Sequence, residues 1–347
     1  MDFKKVLFIK LSSIGDVVHL IPALESFKMN YPETKLSWVV EEESSDILIG
    51  YPLIDRLYII KREWIDKLKN PLTFFEGVKI FYNFFRLLKN ENFDVVIDFQ
   101  GLFKSGIVTF FTGAKRRIGY DKTRELSYIF LNEKISPYDP NRHAIERYIN
   151  LIKCLGVKNG VIRWDFNIDD DIKNMRETLH LHGIKENDKI ISINPIARWE
   201  TKLWNMNRFG RLSDLIVGKL GAKVIFTGSK KDRTKIEEAV SKTRYKPLIM
   251  AGKTSLRELT AIIRISDLFI STDTGPMHIA AALKTPVIAL FGPTSPLRTG
   301  PYGDNNIVIR RSIDCSPCFK KICKDPICMK EITVEEVFDA VRSKINK

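Results

Sequence analysis

Two stretches of this chain carry residue types that could do chemistry. Ser271–Thr272–Asp273–Thr274–Gly275–Pro276–Met277–His278 lies between an apolar run of strand type, Leu268–Ile270, and an Ala-rich helix former, Ile279–Leu283. Asp273, Thr274 and Gly275 fill the turn, Pro276 suits the first helical position, and Val287–Phe291 reads as the next strand. Such a strand–turn–helix–strand unit presents a helix N-terminus, where unpaired N–H groups and the positive dipole end hold phosphate. Asp, Thr and Gly are also ordinary residues of a capped helix start. His278 favours the ligand reading, because a polar residue in the first turn of an apolar helix needs a partner.

The second stretch is Leu11–Ser12–Ser13–Ile14–Gly15–Asp16, between the buried-strand pattern Val6–Lys10 and a helix that begins at Val17 and contains Pro22. Gly15 allows a sharp turn, so Asp16 falls at or near a helix N-terminus. Two readings are open. One is an N-cap carboxylate, worth ~1 kcal/mol. The other is a general base, since a helix dipole keeps a carboxylate ionised and able to take a proton from a substrate hydroxyl.

The elements that must position these stretches follow from composition and order. A chain of 347 residues has room for two domains, and 44% hydrophobic with 28% charged residues describes a globular protein. No apolar run reaches the ~20 residues that span a bilayer. Met1–Lys5 leads directly into a strand with no signal-peptide core, which predicts a cytosolic protein. The net charge of +14 points to anionic partners: nucleic acid, acidic lipid or a phosphorylated substrate. No nucleic-acid module accompanies it, which sets a nucleic-acid binder aside. Part of the excess is local. Lys61–Lys89 holds seven basic residues against three acidic ones, interleaved with Trp64, Phe74, Phe75, Phe81, Tyr82, Phe84 and Phe85. That pattern suits a membrane headgroup surface, or an amphipathic helix whose aromatics are core and whose lysines are solvated.

Strand patterns recur at Leu36–Val40 and Val95–Phe99, the latter ending in the polar turn Gln100–Gly106. Lys104 is thereby expected at the carboxyl edge of a sheet, where open α/β folds bind ligands. Arg116, Arg117, Lys122 and Arg124 continue a basic rim, and His143, Glu146 and Arg147 are spaced to share a helix face. Strands alternating with helices up to about residue 160 predict a doubly wound parallel sheet. The acidic stretch Asp165–Asp171 reads as a linker, and the pattern then restarts with Ile190–Ile193, the polar loop Ala197–Trp204, the helix Phe209–Leu220, the strand Val224–Thr227 and a capping box at Ser255–Glu258. The expected domains are 1–165, 172–328 and a C-terminal helix within 329–347, opened by the capping box Thr333–Glu336, that crosses back to the first domain. Two α/β halves of this kind would face one another across a cleft.

At this point the motifs resemble a family. Lys10–Leu24 is similar to the N-terminal signature of the heptosyltransferases, glycosyltransferase family nine, and Ser271–His278 with Phe291–Thr294 is similar to its second signature. Trp38–Glu42, Asp98–Leu102 with Lys104–Ser105, His143–Arg147 and Lys202–Trp204 fall in family order between them. Trp38–Glu42 and the Gln-Gly-Leu-x-Lys run look most like the type I enzyme, which adds the first heptose to the Kdo region of the lipopolysaccharide inner core.

The resemblance implies a GT-B fold of two Rossmann-like domains and an inverting, metal-independent transfer from ADP-heptose, with no cofactor. Asp16 matches the general base and Lys202 the lysine that neutralises the diphosphate. Ser13, Gly15, Asp273, Thr274, Gly275 and His278 match donor positions. Lys104, Arg116, Arg117, Arg124, His143 and Arg147 are expected to face an anionic lipid A–Kdo acceptor at the cytoplasmic face of the inner membrane. Ala197–Arg198 departs from the hydroxyl residues of relatives, with Arg198 supplying charge instead. Gly228–Ser229–Lys230 departs where a family glutamate holds the nucleoside, with Asp232 as the substitute. Other members act on another heptose acceptor or nucleotide sugar, and an epimerase on the same scaffold is a further alternative.

Five cysteines remain, four of them as Cys315-x2-Cys318-x4-Cys323-x4-Cys328. In a cytosolic chain structural disulfides are not expected. The spacing fits no standard zinc module and leaves a structural metal, redox-labile thiols and inert packing open.

Overall fold

A computed structural model describes residues 3–158 and 160–345; Met1 and Asp2, where the N-terminal reading begins, lie outside the described residues. The chain divides into two compact units, Met1–Asn167 and Ile168–Lys347. The boundary falls inside the expected linker, which is shorter than its composition suggested. Asp169, Asp170 and Asp171 form the first turn of a helix, Asp169–Leu181. Carboxylates there complement the positive helix end, so an acidic run that looked unstructured is a helix start.

In the first unit, β1 (Lys5–Ile9), β2 (Lys35–Glu41), β3 (Arg56–Ile60), β4 (Val95–Asp98), β5 (Arg116–Tyr120) and β6 (Glu133–Ile135) form one parallel sheet in the order β3-β2-β1-β4-β5-β6. The second unit repeats the plan. There β7 (Ile190–Asn194), β8 (Lys223–Phe226), β9 (Leu248–Ile249), β10 (Leu268–Thr272), β11 (Val287–Phe291) and β12 (Asn306–Arg310) are ordered β12-β11-β10-β7-β8-β9. The central strands are mainly apolar and buried over nearly every residue, because helices cover both faces of a parallel sheet. Strand order reverses between β1 and β4, and again between β7 and β10. In open α/β sheets the crevice beyond the strand ends at such a reversal is where ligands bind.

The helix Ile14–Asn30 packs on Ala144–Ile152 in the first unit, carrying the start of one helix toward the middle of the other. The segment 61–90 is a helical hairpin, Arg62–Lys69 and Phe74–Asn90. Trp64, Ile65, Phe81 and Phe85 pack on the core beneath β1, β2 and β4, and Phe84 and Leu88 are buried in it. The basic aromatic segment thus contributes part of its aromatics to the core and leaves others outside it.

The last helix is Val334–Ile345. Val334, Val337, Phe338, Val341 and Ile345 are buried in the second unit's own core with Trp204 and Phe209. Its apolar face packs in that core, within the second compact unit.

Candidate functional site

The first unit's site grows from the loop after β1. Leu11 and Ser12 both donate backbone N–H bonds to Gln100 Oε1, at 3.1 and 3.2 Å, which ties this loop to the one after β4 at the strand-order reversal. Ser13, not Asp16, is the N-cap of Ile14–Asn30, and Asp16 is the third helical residue. Its Oδ2 accepts the Ser13 amide at 3.2 Å and the Ser13 hydroxyl at 2.9 Å. Its Oδ1 accepts the Tyr148 hydroxyl at 3.3 Å and lies 3.8 Å from Lys10 Nζ. Cap and base are therefore compatible: one oxygen closes the helix start, while the carboxylate stays charge-balanced and its side chain keeps 38% of its exposure.

Lys10 is buried at the end of β1, with Nζ 3.4 Å from the Phe99 carbonyl and 5.0 Å from the Tyr148 ring centre. Burial pulls its ammonium down, but Asp16, Tyr148 and Asp98 outweigh that and hold it above the usual lysine range. Burial raises the Tyr148 hydroxyl, with Lys10 opposing and Asp16 adding, so Tyr148 remains a donor at neutral pH. A charged Lys10 and a protonated Tyr148 thus place a cation and a hydroxyl donor at Asp16 Oδ1.

Asp98 closes this network from β4. It is buried, and accepts the Gln100 and Gly101 amides at 2.9 and 3.0 Å and the Ser105 hydroxyl at 2.9 Å. Burial nonetheless pushes its carboxyl up to about 6, against those bonds and Lys10. A carboxyl raised on folding contributes stability that is present below its unfolded value and lost as pH rises through the folded one. Between pH ~4 and ~6 the wild type should therefore lose, relative to Asp98→Asn, on the order of 3 kcal/mol. Urea denaturation of both proteins across that range checks this, and parallel pH profiles would show that Asp98 is not shifted.

The acceptor residues scatter. Lys104 stands in the first turn of Phe103–Phe111 at the carboxyl edge of the sheet and pairs with Glu41 at the end of β2. Arg124 is exposed just after β5, at the same edge. Arg116 and Arg117 are corrected. They open β5 and align with Val95 and Val96, at the amino edge opposite the Gln100–Lys104 turn. Arg116 is bound to Glu133, and Arg117 donates to the carbonyls of Phe130 and Ala114, both at 2.9 Å. The Arg116–Glu133 pair joins β5 to β6, and both cations are engaged at the amino edge. His143 is likewise the N-cap of Ala144–Ile152, its Nδ1 accepting the Ile145 amide at 3.3 Å, so it does not share a helix face with Glu146 and Arg147. Its ring lies 5.0 Å from that of His19, one turn beyond Asp16. Arg147 is half-buried next to Tyr148, its carbonyl accepting the Tyr120 hydroxyl at 2.5 Å.

The second unit's site forms where β7 and β10 part. The loop after β7 ends in a single 3₁₀ turn, Glu200–Lys202, and the turn after β10 carries Asp273. Lys202 Nζ lies 2.7 Å from Asp273 Oδ2, which also accepts the Thr294 hydroxyl at 2.6 Å. Asp273 is nearly buried and faces a cation and a donor; its negative charge would repel a phosphate. It therefore holds Lys202 and Thr294 together at this turn. Trp199 stacks beside Lys202, at 4.6 Å, and carries Lys321 at 5.5 Å.

Thr274 is the N-cap of Gly275–Ala282 in extended backbone, its hydroxyl making no capping bond, and Thr274 and Gly275 are partly exposed. That helix start is open to an anion beside Lys202's own turn. His278 is buried within the first turn, and Arg198 is exposed. Asp232 is turned inward: one oxygen accepts the Ser229 amide at 2.8 Å and the Ser229 hydroxyl at 2.6 Å, closing its own loop after β8.

The cysteine segment lies against this site. Phe319 donates its amide to the Pro293 carbonyl at 2.8 Å, and Thr201 its hydroxyl to the Lys320 carbonyl at 2.8 Å. A Cβ on Gly292 would meet Met329 Sδ at 2.7 Å and Cys328 Sγ at 3.0 Å, so glycine is what lets this segment close down. Cys328 is buried there; Cys315 and Cys323 are exposed. Among the described residues no group of three or more His, Cys, Asp or Glu is placed to hold a metal ion.

Lys10 as a charged partner, Tyr148, Asp98, Trp199 and Thr294 were not singled out by sequence reasoning. Lys10 offered a signal, a cation ending an unbroken apolar strand. Tyr148 offered none, since a tyrosine on an apolar helix face reads as core.

Residues 81–328 match the profile of glycosyltransferase family 9 (heptosyltransferase). The chain is 28% identical to the lipopolysaccharide core heptosyltransferase OpsX of Haemophilus influenzae over 88% of this chain and 84% of that one. It is 29% identical to lipopolysaccharide heptosyltransferase 1 of Escherichia coli K12, over 88% and 93%, and 29% identical to heptosyltransferase 3 of the same strain, over 84% of each. The expected leaning toward type I is thus not supported by similarity. The E. coli heptosyltransferase WaaC solved with ADP superposes with a TM-score of 0.78 at 24% identity, covering 98% of this chain and 99% of that one, and the two six-stranded parallel sheets are of its GT-B type. The chain belongs to glycosyltransferase family 9, the heptosyltransferases.

Proposed function

We propose that this protein moves a heptose from ADP-heptose onto a Kdo-containing inner-core acceptor, with inversion and without a metal. The observation that carries the reading is Lys202, held by Asp273 beside the uncapped helix start at Thr274–Gly275. Fixed positive charge next to the positive end of a helix suits the charge that grows on a departing diphosphate. Solved WaaC complexes with ADP and with ADP-2-deoxy-2-fluoro heptose support the choice of donor.

In the proposed step an acceptor hydroxyl oxygen forms a bond to the anomeric carbon while the bond from that carbon to the diphosphate oxygen breaks. ADP leaves with the electron pair, and Asp16 takes the hydroxyl proton. A single displacement inverts the anomeric centre. Lys202, Arg198 and the helix start at Gly275 supply the charge compensation that the reading assigns to the protein. Lys104, Arg124 and Arg147 are the basic residues that remain for the acceptor's carboxylates and phosphates. The acceptor is lipid-linked, which places the enzyme as a peripheral protein at the cytoplasmic face of the inner membrane.

A panel of acceptors tests this. ADP release from ADP-heptose should require a Kdo-lipid that carries no heptose. Release only with an already heptosylated core would assign the chain to a type II or III activity instead. Release that needs no acceptor would contradict transfer.

A further inference from the structure

We propose that the helical hairpin of the first unit is a membrane-docking element, and that its tip enters the headgroup region of an anionic bilayer. The inference rests on the lipid-linked acceptor of the proposed function, and names the surface that would bring the enzyme to it.

The hairpin has two faces of opposite character. Gly77, Phe84 and Leu88 are buried on the inward side of Phe74–Asn90. A Cβ on Gly77 would lie 2.9 Å from the Leu68 backbone nitrogen, so the two helices meet almost backbone to backbone. Outward, Phe75, Lys79, Tyr82 and Arg86 follow at i, i+4, i+7 and i+11 and form one exposed stripe of alternating aromatic and cation. Phe75 is 84% exposed and Tyr82 63%, while Leu72, in the turn between the helices, is 94% exposed. More than half of the exposed large apolar side chains among the described residues fall between 72 and 129. Folding has buried what the core needs, and a soluble protein rarely leaves this much apolar surface together without a partner for it.

The charges identify the partner. Lys67 is paired with Glu76, and Arg62 with Glu43, so those cations are compensated locally. Lys69, Lys79, Arg86 and Lys89 are exposed and form no ion pair among the described residues. Uncompensated cations around protruding Leu, Phe and Tyr match a surface that is anionic outside and apolar just beneath. No helix among the described residues is long and apolar enough to cross a membrane, so the element lies on the bilayer rather than through it.

The test uses vesicles of equal parts phosphatidylcholine and phosphatidylglycerol, containing no acceptor lipid. The full-length protein should sediment with them, at least ten-fold less with phosphatidylcholine alone, and less at high salt. The double variant Leu72→Glu/Phe75→Glu should lose sedimentation at any salt, and Lys79→Glu/Arg86→Glu should weaken it more than ten-fold at low salt. All four side chains are exposed, so melting temperatures should match the wild type. Transfer to an O-deacylated, vesicle-free acceptor should be the same for wild type and Leu72→Glu/Phe75→Glu. If the wild type fails to transfer at all, the functional reading falls while the vesicle result stands. Wild-type protein that ignores anionic vesicles, or variants that bind as it does, would overturn the docking element. So would a dimer in sedimentation velocity that the tip variant abolishes, which would make this face a self-interface.

Discussion

Asp16→Asn should cut turnover by roughly 10²- to 10⁴-fold, the contribution of a positioned general base, while leaving ADP-heptose affinity near the wild-type value. The substitution separates the proposed base from the helix-closing contact. An amide oxygen at the same place can still accept from the Ser13 amide and hydroxyl, at the positions Asp16 Oδ2 now serves at 3.2 and 2.9 Å. The helix start should thus survive, and circular dichroism should not change. What the amide cannot do is take a proton at neutral pH. The loss should therefore appear in kcat and kcat/KM together, as for an interaction made only in the transition state. Steady-state kinetics with calorimetry of donor binding measures both. Near-normal turnover would leave Asp16 as a helix-closing residue and nothing more.

Lys202→Ala is expected to do two things that a second substitution can separate. Removing the ammonium leaves the Asp273 carboxylate buried with only the Thr294 hydroxyl, and an uncompensated buried charge costs about 3–5 kcal/mol of stability. It also removes a charged contact to the diphosphate, worth ~1.5–3 kcal/mol or roughly 10- to 100-fold in ADP affinity. Lys202→Ala combined with Asp273→Asn should recover most of the stability, because the orphaned charge is gone. It should not recover ADP binding. Thermal melts and ADP calorimetry on the single and double variants decide this. Restored ADP affinity in the double variant would mean that Lys202 props the loop and does not meet the nucleotide.

The framework of both units was legible because parallel strands covered on two faces are unbroken apolar runs. Val287–Phe291 was bounded to the residue, and β1, β4, β7 and β10 to within one or two. The edge strands were not. Arg116–Tyr120 begins with two arginines and Glu133–Ile135 has three residues, so neither shows the pattern of a buried strand. That failure misplaced Arg116 and Arg117. With no strand assigned to them they were read as part of a basic rim; as the first residues of β5 they lie at the amino edge of the sheet.

Polar pairings were the least legible part of the site. Nothing in the spacing of Lys202, Asp273 and Thr294 says that one oxygen serves both partners, nor that Tyr148 reaches back to Asp16. Such contacts join residues far apart in the chain, and they exist only once the strand-order reversal has placed the loops side by side. The place of Asp16 at a helix start was legible, though it is the third helical residue and not the cap, with one oxygen on Ser13 and the other on Tyr148.

Mass spectrometry of a Kdo-lipid acceptor after incubation with ADP-heptose and the wild-type protein addresses the proposed transfer itself. The acceptor should gain the mass of a single heptosyl group, with one ADP formed for each, and the product should be unchanged when a chelator is present. ADP formed without any gain in acceptor mass would make the protein a hydrolase of the donor, and the assignment of Asp16 to an acceptor hydroxyl would be wrong.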